Sequence, residues 1–428
     1  MKAIFATLFA FFALCVSAQN YSDYFTDATL RLDYVFSGNH DQQTICIDGL
    51  SKLPQWAGRR SHLSEIPVLG YGTLVVRSKA SGEVIYKTSF SSLFQEWLET
   101  PEAKTTSRAM QQVVLVPYPK NEVEITIDLR SNRREVAAQF THTVNPADIL
   151  IRDHSRDELA PHRYLVRSGD PAKCIDVAII AEGYTKDEMT LFYADAQKAT
   201  DAIFSHEPFA SNKDKFNIVA VATASHDSDV SVPQDGIWRN TACNSNFSTF
   251  YMTRYLTTNS MHQVHNLIAG IPYEHVIILA NTDTYGGGGI YNSYVLTTTH
   301  HEKYNYVVVH EFGHAFCGLG DEYFYPNEPS DMYPLDVEPW EPNITTLVDF
   351  DSKWKDMLDA KTAIPTTKEP TKEPDVYEKI GVYEGGGYCT KGVYRPVVWC
   401  RMRNNEAPGF CPVCRRALSR AIDFYTKD

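Results

Sequence analysis

The stretch VVVHEFGHAFCGLGDEYFYP, residues 307–326, contains two histidines and a glutamate in the pattern His-Glu-x-x-His. His310 and His314 are four residues apart, so in a helix both imidazoles project from one face, about one turn apart. Apolar neighbours such as Phe312 are suited to burying the opposite face. The pattern predicts a metal-binding helix in which Glu311 reaches a water molecule on the open side of the ion.

Two histidines leave a catalytic zinc ion one protein ligand short, because such sites use three. In the common extension of this pattern, a helix-breaking glycine is followed three residues later by a histidine or an aspartate. Gly318-Leu319-Gly320-Asp321 keeps that count after one extra residue, and the two glycines allow the backbone to reverse. We therefore predict Asp321 as the third metal ligand.

Three rival ligands remain open at this stage. Glu322 is the next-best candidate, or a partner that orients a histidine ring. Glu328 would have to come from a second helix, which the flanking prolines disfavour. Cys317 lies seven residues after His310, on the ligand face, although cysteines at such positions are more often buried in a core or oxidised.

Met402, in the segment YRPVVWCRMRNN, is a candidate for a tight turn whose methionine forms an apolar floor beneath the metal site. Filling a hydrophobic core is the commoner role of a methionine. The cysteines on both sides of the segment would hold such a turn in place, so we predict that Met402 is the floor.

The first residues resemble an export signal. A lysine precedes an apolar run, and Val-Ser-Ala before Gln19 fits a cleavage site, so residues 1–18 are predicted to be a signal peptide. A lipid anchor at Cys15 is the alternative, disfavoured by Leu14 beside it. We expect a periplasmic, cell-surface or secreted protein without a transmembrane segment. The formal net charge of −13 argues against nucleic acid or an anionic membrane as a partner.

Four cysteines lie in the last forty residues, namely Cys389, Cys400, Cys411 and Cys414. In an oxidising compartment we expect them to form two disulfides. A structural zinc site normally uses two closely spaced pairs, and only Cys411-Pro-Val-Cys414 is such a pair. A structural zinc site and a redox-active pair are therefore the less favoured interpretations.

The pattern of apolar residues changes along the chain. In residues 19–155, alternating segments such as EVEITIDL predict an all-β, sandwich-like N-terminal domain. In residues 156–428, the buried strands CIDVAIIAEGY, FNIVAVATAS and YEHVIILAN alternate with helical segments, which predicts an α/β domain with a mostly parallel sheet. The glycine run YGGGG is interpreted as a flexible turn that leads into an edge strand, IYNSYVLT.

The segments HEFGHAFCGLGDEY, YRPVVWCRM and GFCPVC together resemble the bacterial immunoglobulin A peptidase family of metzincin-like zinc metallopeptidases. The segment CIDVAIIAEGYTKDEM and the N-terminal β-rich region are also similar, so the resemblance covers essentially the whole mature chain. A repeated Thr-Lys-Glu-Pro motif at residues 367–374 departs from it and is expected to be a loop insertion.

The resemblance implies an α/β metzincin-like zinc metallopeptidase domain, preceded by the β-sandwich-like domain. It implies Zn²⁺ bound by His310, His314 and Asp321, with Glu311 as the catalytic glutamate and Met402 in the turn. It implies a protein or peptide substrate. A host glycoprotein such as immunoglobulin is one candidate, although the family name describes the substrate of only some members.

We therefore expect a secreted zinc-dependent endopeptidase with Glu311 as general base. Two alternatives stay open. One is a secreted, adhesin-like binding protein whose metal is structural or absent, and the other is a zinc amidase that acts on cell-wall peptides.

Overall fold

The computed structural model describes residues 19–326 and 332–427, so the predicted signal peptide and Glu328 lie outside the described residues. The N-terminal region contains two short helices, α1 (Tyr21–Tyr24) and α2 (Leu93–Leu98). Its strands are β1 (Phe25–Gly38), β2 (Gln43–Leu53), β3 (Gly72–Ser78), β4 (Val84–Phe90), β5 (Arg108–Pro119), β6 (Val123–Arg130), β7 (Val136–Val144) and β8 (Arg152–Asp153).

These strands form two four-stranded sheets, with the orders β5-β1-β2-β8 and β4-β3-β6-β7. The alternating apolar residues of β6 face inward, as predicted, since Ile125, Ile127 and Leu129 are fully buried. The two sheets share one core, in which Phe36 of β1 and Phe90 of β4 stack with ring centres 6.0 Å apart.

The following region contains a six-stranded sheet with the order β13-β14-β12-β10-β11-β9. Its strands are β9 (His162–Arg167), β10 (Ile175–Glu182), β11 (Phe216–Val221), β12 (His275–Ala280), β13 (Gly287–Ile290) and β14 (Tyr294–Thr298). Its helices are α3 (Met189–Phe204), α4 (Met261–Leu267) and α5 (Tyr304–Cys317). The four central strands are parallel, and the two edge strands β9 and β13 are antiparallel.

The predicted division into an N-terminal β-rich region and an α/β region is confirmed. The three predicted buried strands correspond to β10, β11 and β12, in which every residue is buried. The domain boundary at residues 155 and 156 stays a prediction, and it falls in the connection between β8 and β9.

The interpretation of the glycine run was wrong. Gly287, Gly288 and Gly289 belong to the edge strand β13 itself, while β14 lies one position inside the sheet. The physical reason is space, because a Cβ atom at Gly289 would lie 2.3 Å from the backbone oxygen of Glu311 in α5. Only a strand without side chains approaches the helix this closely.

The chain ends with α6 (Asp375–Glu378), the hairpin β15 (Tyr383–Gly386) and β16 (Cys389–Arg395), and α7 (Pro412–Thr426). Residues 367–374 form neither helix nor strand, which agrees with the predicted loop. Among the described residues, no helix has the length and apolar character needed to cross a membrane.

Candidate metal centre

Helix α5 presents both histidines and Glu311 toward one side. The helix ends at Gly318, whose φ of +64° is the left-handed conformation that glycine adopts without strain. The amide of Gly318 donates to the carbonyl of His314 at 2.8 Å and closes the last turn. The chain then reverses and returns past the end of the helix.

This reversal brings Asp321 to the two histidines. Its Oδ1 lies 3.0 Å from Nε2 of His310 and 3.3 Å from Nε2 of His314, and the two Nε2 atoms are 3.0 Å apart. Three ligands at the corners of a zinc tetrahedron with bonds of 2.0–2.1 Å would be about 3.3 Å apart. The three atoms are thus spaced to hold one small cation.

The hydrogen bonds of the rings direct both Nε2 atoms toward Asp321. Nδ1 of His310 lies 2.9 Å from the carbonyl oxygen of Arg401, and Nδ1 of His314 bonds the carbonyl oxygen of Leu319. Carbonyl oxygens only accept, so each Nδ1 carries the proton and each neutral ring turns a bare Nε2 lone pair inward. Oδ1 of Asp321 lies within hydrogen-bond distance of both Nε2 atoms. While both rings are neutral, three lone pairs meet at this point, and either a proton on Nε2 or a bound cation would satisfy them.

The electrostatics agree with this geometry. Burial alone would lower the pKa of His314, but the carboxylate of Asp321 outweighs burial and raises that pKa to about 9. Burial would raise the pKa of Asp321, and His314 and His310 nevertheless hold it well below its usual range. The pocket thus attracts positive charge, which a bound metal ion would supply.

A tight turn at residues 400–404 packs against the residues of the centre. Met402 is fully buried, and a Cβ atom on Gly313 of α5 would lie 3.0 Å from its sulfur. The carbonyl of Arg401 accepts from His310, and the carbonyl of Met402 accepts from the amide of Glu322 at 2.8 Å. One turn thus contacts both the helix and the segment that carries the aspartate, where the sequence predicted an apolar floor.

Tyr388 is a contact of Asp321 that the sequence did not reveal. Its hydroxyl donates to Oδ2 of Asp321, while the amide of Gly387 donates to the backbone oxygen of Asp321 at 2.7 Å. Sixty-seven positions separate the two side chains, and no spacing rule connects them. The hydrogen bond leaves Oδ1 directed at the histidines.

Glu311 lies beside the two histidines and packs against the edge strand β13. A Cβ atom on Gly287 of β13 would lie 3.2 Å from its Oε1. Burial raises the pKa of Glu311, and the two neighbouring histidines oppose that rise. A raised pKa makes the Glu311 carboxylate a better proton acceptor than an exposed glutamate.

The N-terminal region also reaches this side of the centre. Tyr255 forms a backbone bridge with Gly287, and its hydroxyl donates to the carboxylate of Glu96 in α2. Burial raises the pKa of Glu96 to about 7, partly offset by the Tyr255 hydrogen bond. An isolated glutamate such as Glu96 carries no sequence signal, so its place beside the centre could not be predicted.

Family comparisons agree with the resemblance. A family model described as IgA Peptidase M64 matches residues 164–376 and 370–422, and one described as Peptidase M64 N-terminus matches residues 20–141. The chain belongs to the IgA peptidase M64 family. A comparison with curated proteins gave no match.

Membership in the M64 family indicates a peptidase, which implies a protein or peptide substrate. In this M64 peptidase two of the three rival ligands, Cys317 and Glu322, lie elsewhere. Cys317 is buried in the core, and the Glu322 carboxylate lies in a separate cluster with three cysteines. Within residues 19–326 and 332–427, Asp321 is the acidic or thiol group that converges with the two histidines.

The prediction of two disulfides among the last four cysteines was wrong. No disulfide is formed among the described residues of this M64 family member. Sγ of Cys400 and Sγ of Cys414 lie 3.8 Å apart, well beyond a bond of about 2.05 Å. The physical reason is that Cys400, Cys411 and Cys414 converge on one carboxylate, whereas Cys389 belongs to a different apolar cluster.

Proposed function

We propose that the chain is an exported, zinc-dependent metalloendopeptidase with a metzincin-like catalytic domain. The observation that carries the proposal is the convergence of Nε2 of His310, Nε2 of His314 and Oδ1 of Asp321, which lie 3.0–3.3 Å apart, close to the spacing of three ligands around one zinc ion. The predicted leader at residues 1–18 supports export. Neither feature identifies the substrate, so immunoglobulin remains one candidate among host glycoproteins.

His310, His314 and Asp321 would hold the ion, since imidazole nitrogen and carboxylate oxygen are ordinary zinc ligands. Zinc bound by three protein groups polarises carbonyl oxygens and lowers the pKa of water to about 7. The histidine side chains remain 14 % and 16 % exposed, which leaves that side accessible to water and substrate.

Glu311 is the proposed general base. It takes a proton from the attacking water and passes it to the amine that leaves when the peptide bond breaks. Its raised pKa makes it a better acceptor of that proton than an exposed glutamate. Strand β13, beside Glu311, is the edge strand of the sheet, and an extended substrate peptide would pair with the backbone groups that the Tyr255 bridge at Gly287 leaves open.

Cleavage of a panel of denatured proteins tests the proposal. We expect the wild-type chain to cleave, a chelator to abolish cleavage and added zinc to restore it. Glu311→Gln should reduce the rate by roughly a hundred- to ten-thousand-fold while the bound metal is retained, because only the proton acceptor is lost. Glu302→Gln, at an exposed position before α5, is the matched control and should cleave normally.

Full activity of Glu311→Gln with its metal in place would disprove the general-base role. A wild-type chain that binds no metal at His310 and His314 and cleaves nothing would favour the adhesin-like alternative. Cleavage of cell-wall peptides without cleavage of any protein would favour the amidase.

A further inference from the structure

A second cluster of metal-type ligands lies next to the first and plays no part in the proposed reaction. It consists of Glu322, Cys400, Cys411 and Cys414, whose ligand atoms all lie within 4.8 Å of one another. All four residues are at most 1 % exposed. They come from the segment after α5, the turn at residues 400–404 and the start of α7.

The carboxylate of Glu322 is buried and forms no ion pair with the described residues. Oε1 accepts from Nδ2 of Asn343 at 2.9 Å and lies 3.2 Å from Sγ of Cys414. Oε2 accepts no hydrogen bond, and no lysine, arginine or histidine of the described chain forms an ion pair with this group. A fully buried carboxylate is strongly unfavourable without a counter-charge, so this group is either protonated or beside a cation, and the three thiols that converge on it favour a cation.

The distances suit a tetrahedral ion better than a disulfide. Zinc–sulfur bonds of about 2.3 Å place two ligand sulfurs about 3.8 Å apart. The sulfurs of Cys400 and Cys414 are separated by 3.8 Å. One disulfide would use two of the three thiols and leave the third beside the unpaired carboxylate, whereas one ion engages all four groups.

We propose that Glu322, Cys400, Cys411 and Cys414 form a second metal centre that binds a thiophilic divalent ion, with Zn²⁺ as the best fit. Four protein ligands leave no open position, and full burial excludes substrate, so the centre is structural. In this it differs from the histidine centre, whose ligands are partly exposed.

The second centre positions the first. Glu322 directly follows Asp321, and the amide of Glu322 donates a hydrogen bond to the carbonyl of Met402. Cys400 directly precedes Arg401, whose carbonyl orients His310. An ion held by Glu322 and Cys400 therefore fixes the Asp321 carboxylate and the support of His310 relative to each other. This role does not require the proposed peptidase reaction.

Metal content and a cobalt spectrum test the proposal on the full mature chain. We expect about two zinc ions per wild-type chain, and about one in the double variant His310→Ala/His314→Ala. With Co²⁺ in place of zinc, that double variant should keep a thiolate-to-cobalt charge-transfer band. Cys411→Ser should lose this ion and the band and melt at a lower temperature, whereas Cys46→Ser, at an exposed cysteine, should match the wild type.

Absence of metal from His310→Ala/His314→Ala would overturn the proposal, as would a cobalt spectrum without the thiolate band. Mass spectrometry that finds a disulfide between any two of Cys400, Cys411 and Cys414 would overturn it as well. If Cys411→Ser fails to fold, the metal content and cobalt spectrum of His310→Ala/His314→Ala still test the proposal. A wild-type chain with one zinc ion and the thiolate band would support this centre while contradicting the proposed histidine centre.

Discussion

At the level of single residues, the candidate centre depends on groups that hold Asp321 rather than on Asp321 alone. The Tyr388 hydroxyl donates a hydrogen bond to Oδ2 of Asp321, and the amide of Gly387 donates one to its backbone oxygen. Hydrogen bonds of this kind fix the direction of a metal ligand and commonly change metal affinity by roughly 10- to 100-fold when they are removed. Tyr388 is therefore a positioning residue for the proposed third ligand.

We predict that Tyr388→Phe weakens metal binding at the histidine centre by roughly 10- to 100-fold without unfolding the protein, because the ring stays and only the hydroxyl is lost. Competition with a chelator of known affinity, followed by zinc analysis, measures the change. Tyr251→Phe, at a tyrosine that is 83 % exposed, is the matched control. Equal metal affinity in Tyr388→Phe and the wild type would contradict the positioning role.

At the level of elements, the approach of β13 to α5 decides where Glu311 lies relative to a bound peptide. Gly287 and Gly289 face the helix, and a methyl group at either position would meet Glu311. At Gly289 the obstructing atom is a backbone oxygen, which cannot rotate away as a flexible side chain would. The strand must therefore lack side chains to stay at this distance.

Gly289→Ala is predicted to push β13 away from α5 and to lower the free energy of unfolding by about 1–3 kcal/mol, as overpacking does. We expect peptidase activity to fall more than stability, since the strand and Glu311 would separate. Denaturant unfolding and cleavage rates measure both. Gly49→Ala, where a Cβ atom meets nothing within 4 Å, should change neither. Normal activity of Gly289→Ala would show that the close approach is not required.

At the level of the whole molecule, the N-terminal and α/β regions share one hydrophobic core. Leu30 and Phe36 of the sandwich belong to the same cluster as Ile278 and Leu296 of the six-stranded sheet. The buried Arg31 adds a polar link, because it donates to Oδ1 of Asn266 at 2.7 Å. A core that spans both regions is expected to make them unfold together.

We predict that residues 156–427 alone do not form a stable unit, since removal of the sandwich exposes the apolar face that it covers. Thermal unfolding followed by near-ultraviolet circular dichroism measures this, with the mature chain from residue 19 as control. The mature chain should show one cooperative transition, and the fragment should show none or aggregate. A fragment with its own sharp transition would show that the two regions fold independently.

The pH dependence of stability has a buried source in Asp176 of β10. This residue is 1 % exposed, its Oδ1 accepts from Asn217 at 3.0 Å, and its Oδ2 has no partner among the described residues. Burial raises the pKa of Asp176 from 3.8 to about 7, partly offset by the Asn217 hydrogen bond. The folded state therefore holds this proton more tightly than the unfolded state does.

A raised carboxyl pKa contributes stability that is fully present below pH 3.8 and is lost as the pH rises to about 7. Across that window the single group removes up to about 1.4 kcal/mol per pH unit from the free energy of unfolding. We expect Asp176→Asn to remove this slope, so that the variant is more stable than the wild type at pH 8. Urea unfolding of Asp176→Asn and the wild type at pH 5 and pH 8 measures this difference, with Asp41→Asn at an exposed position as control. Equal changes in the free energy of unfolding between the two pH values for Asp176→Asn and the wild type would contradict the assignment.

The features that depend on local periodicity could be predicted from the amino-acid sequence alone. The spacing of His310 and His314 requires one helix face, the buried runs of β10, β11 and β12 require a covered sheet, and the alternation in β6 requires a two-sided strand. Asp321 could also be predicted as a ligand, because a helix that ends at a glycine and is followed by a short reversal limits where the next few residues can lie. These inferences need only neighbours within a few positions.

Contacts between groups that are distant in the sequence could be identified only in the folded chain. The tertiary structure placed the Tyr388 hydroxyl on Asp321, made the glycine run an edge strand, and gathered three cysteines around Glu322 in place of two disulfides. Such contacts join segments tens of residues apart, where any spacing is compatible with many pairings. The deciding quantities are the fit of backbone against backbone and the need of buried charge for a partner, and both exist only once the chain is packed.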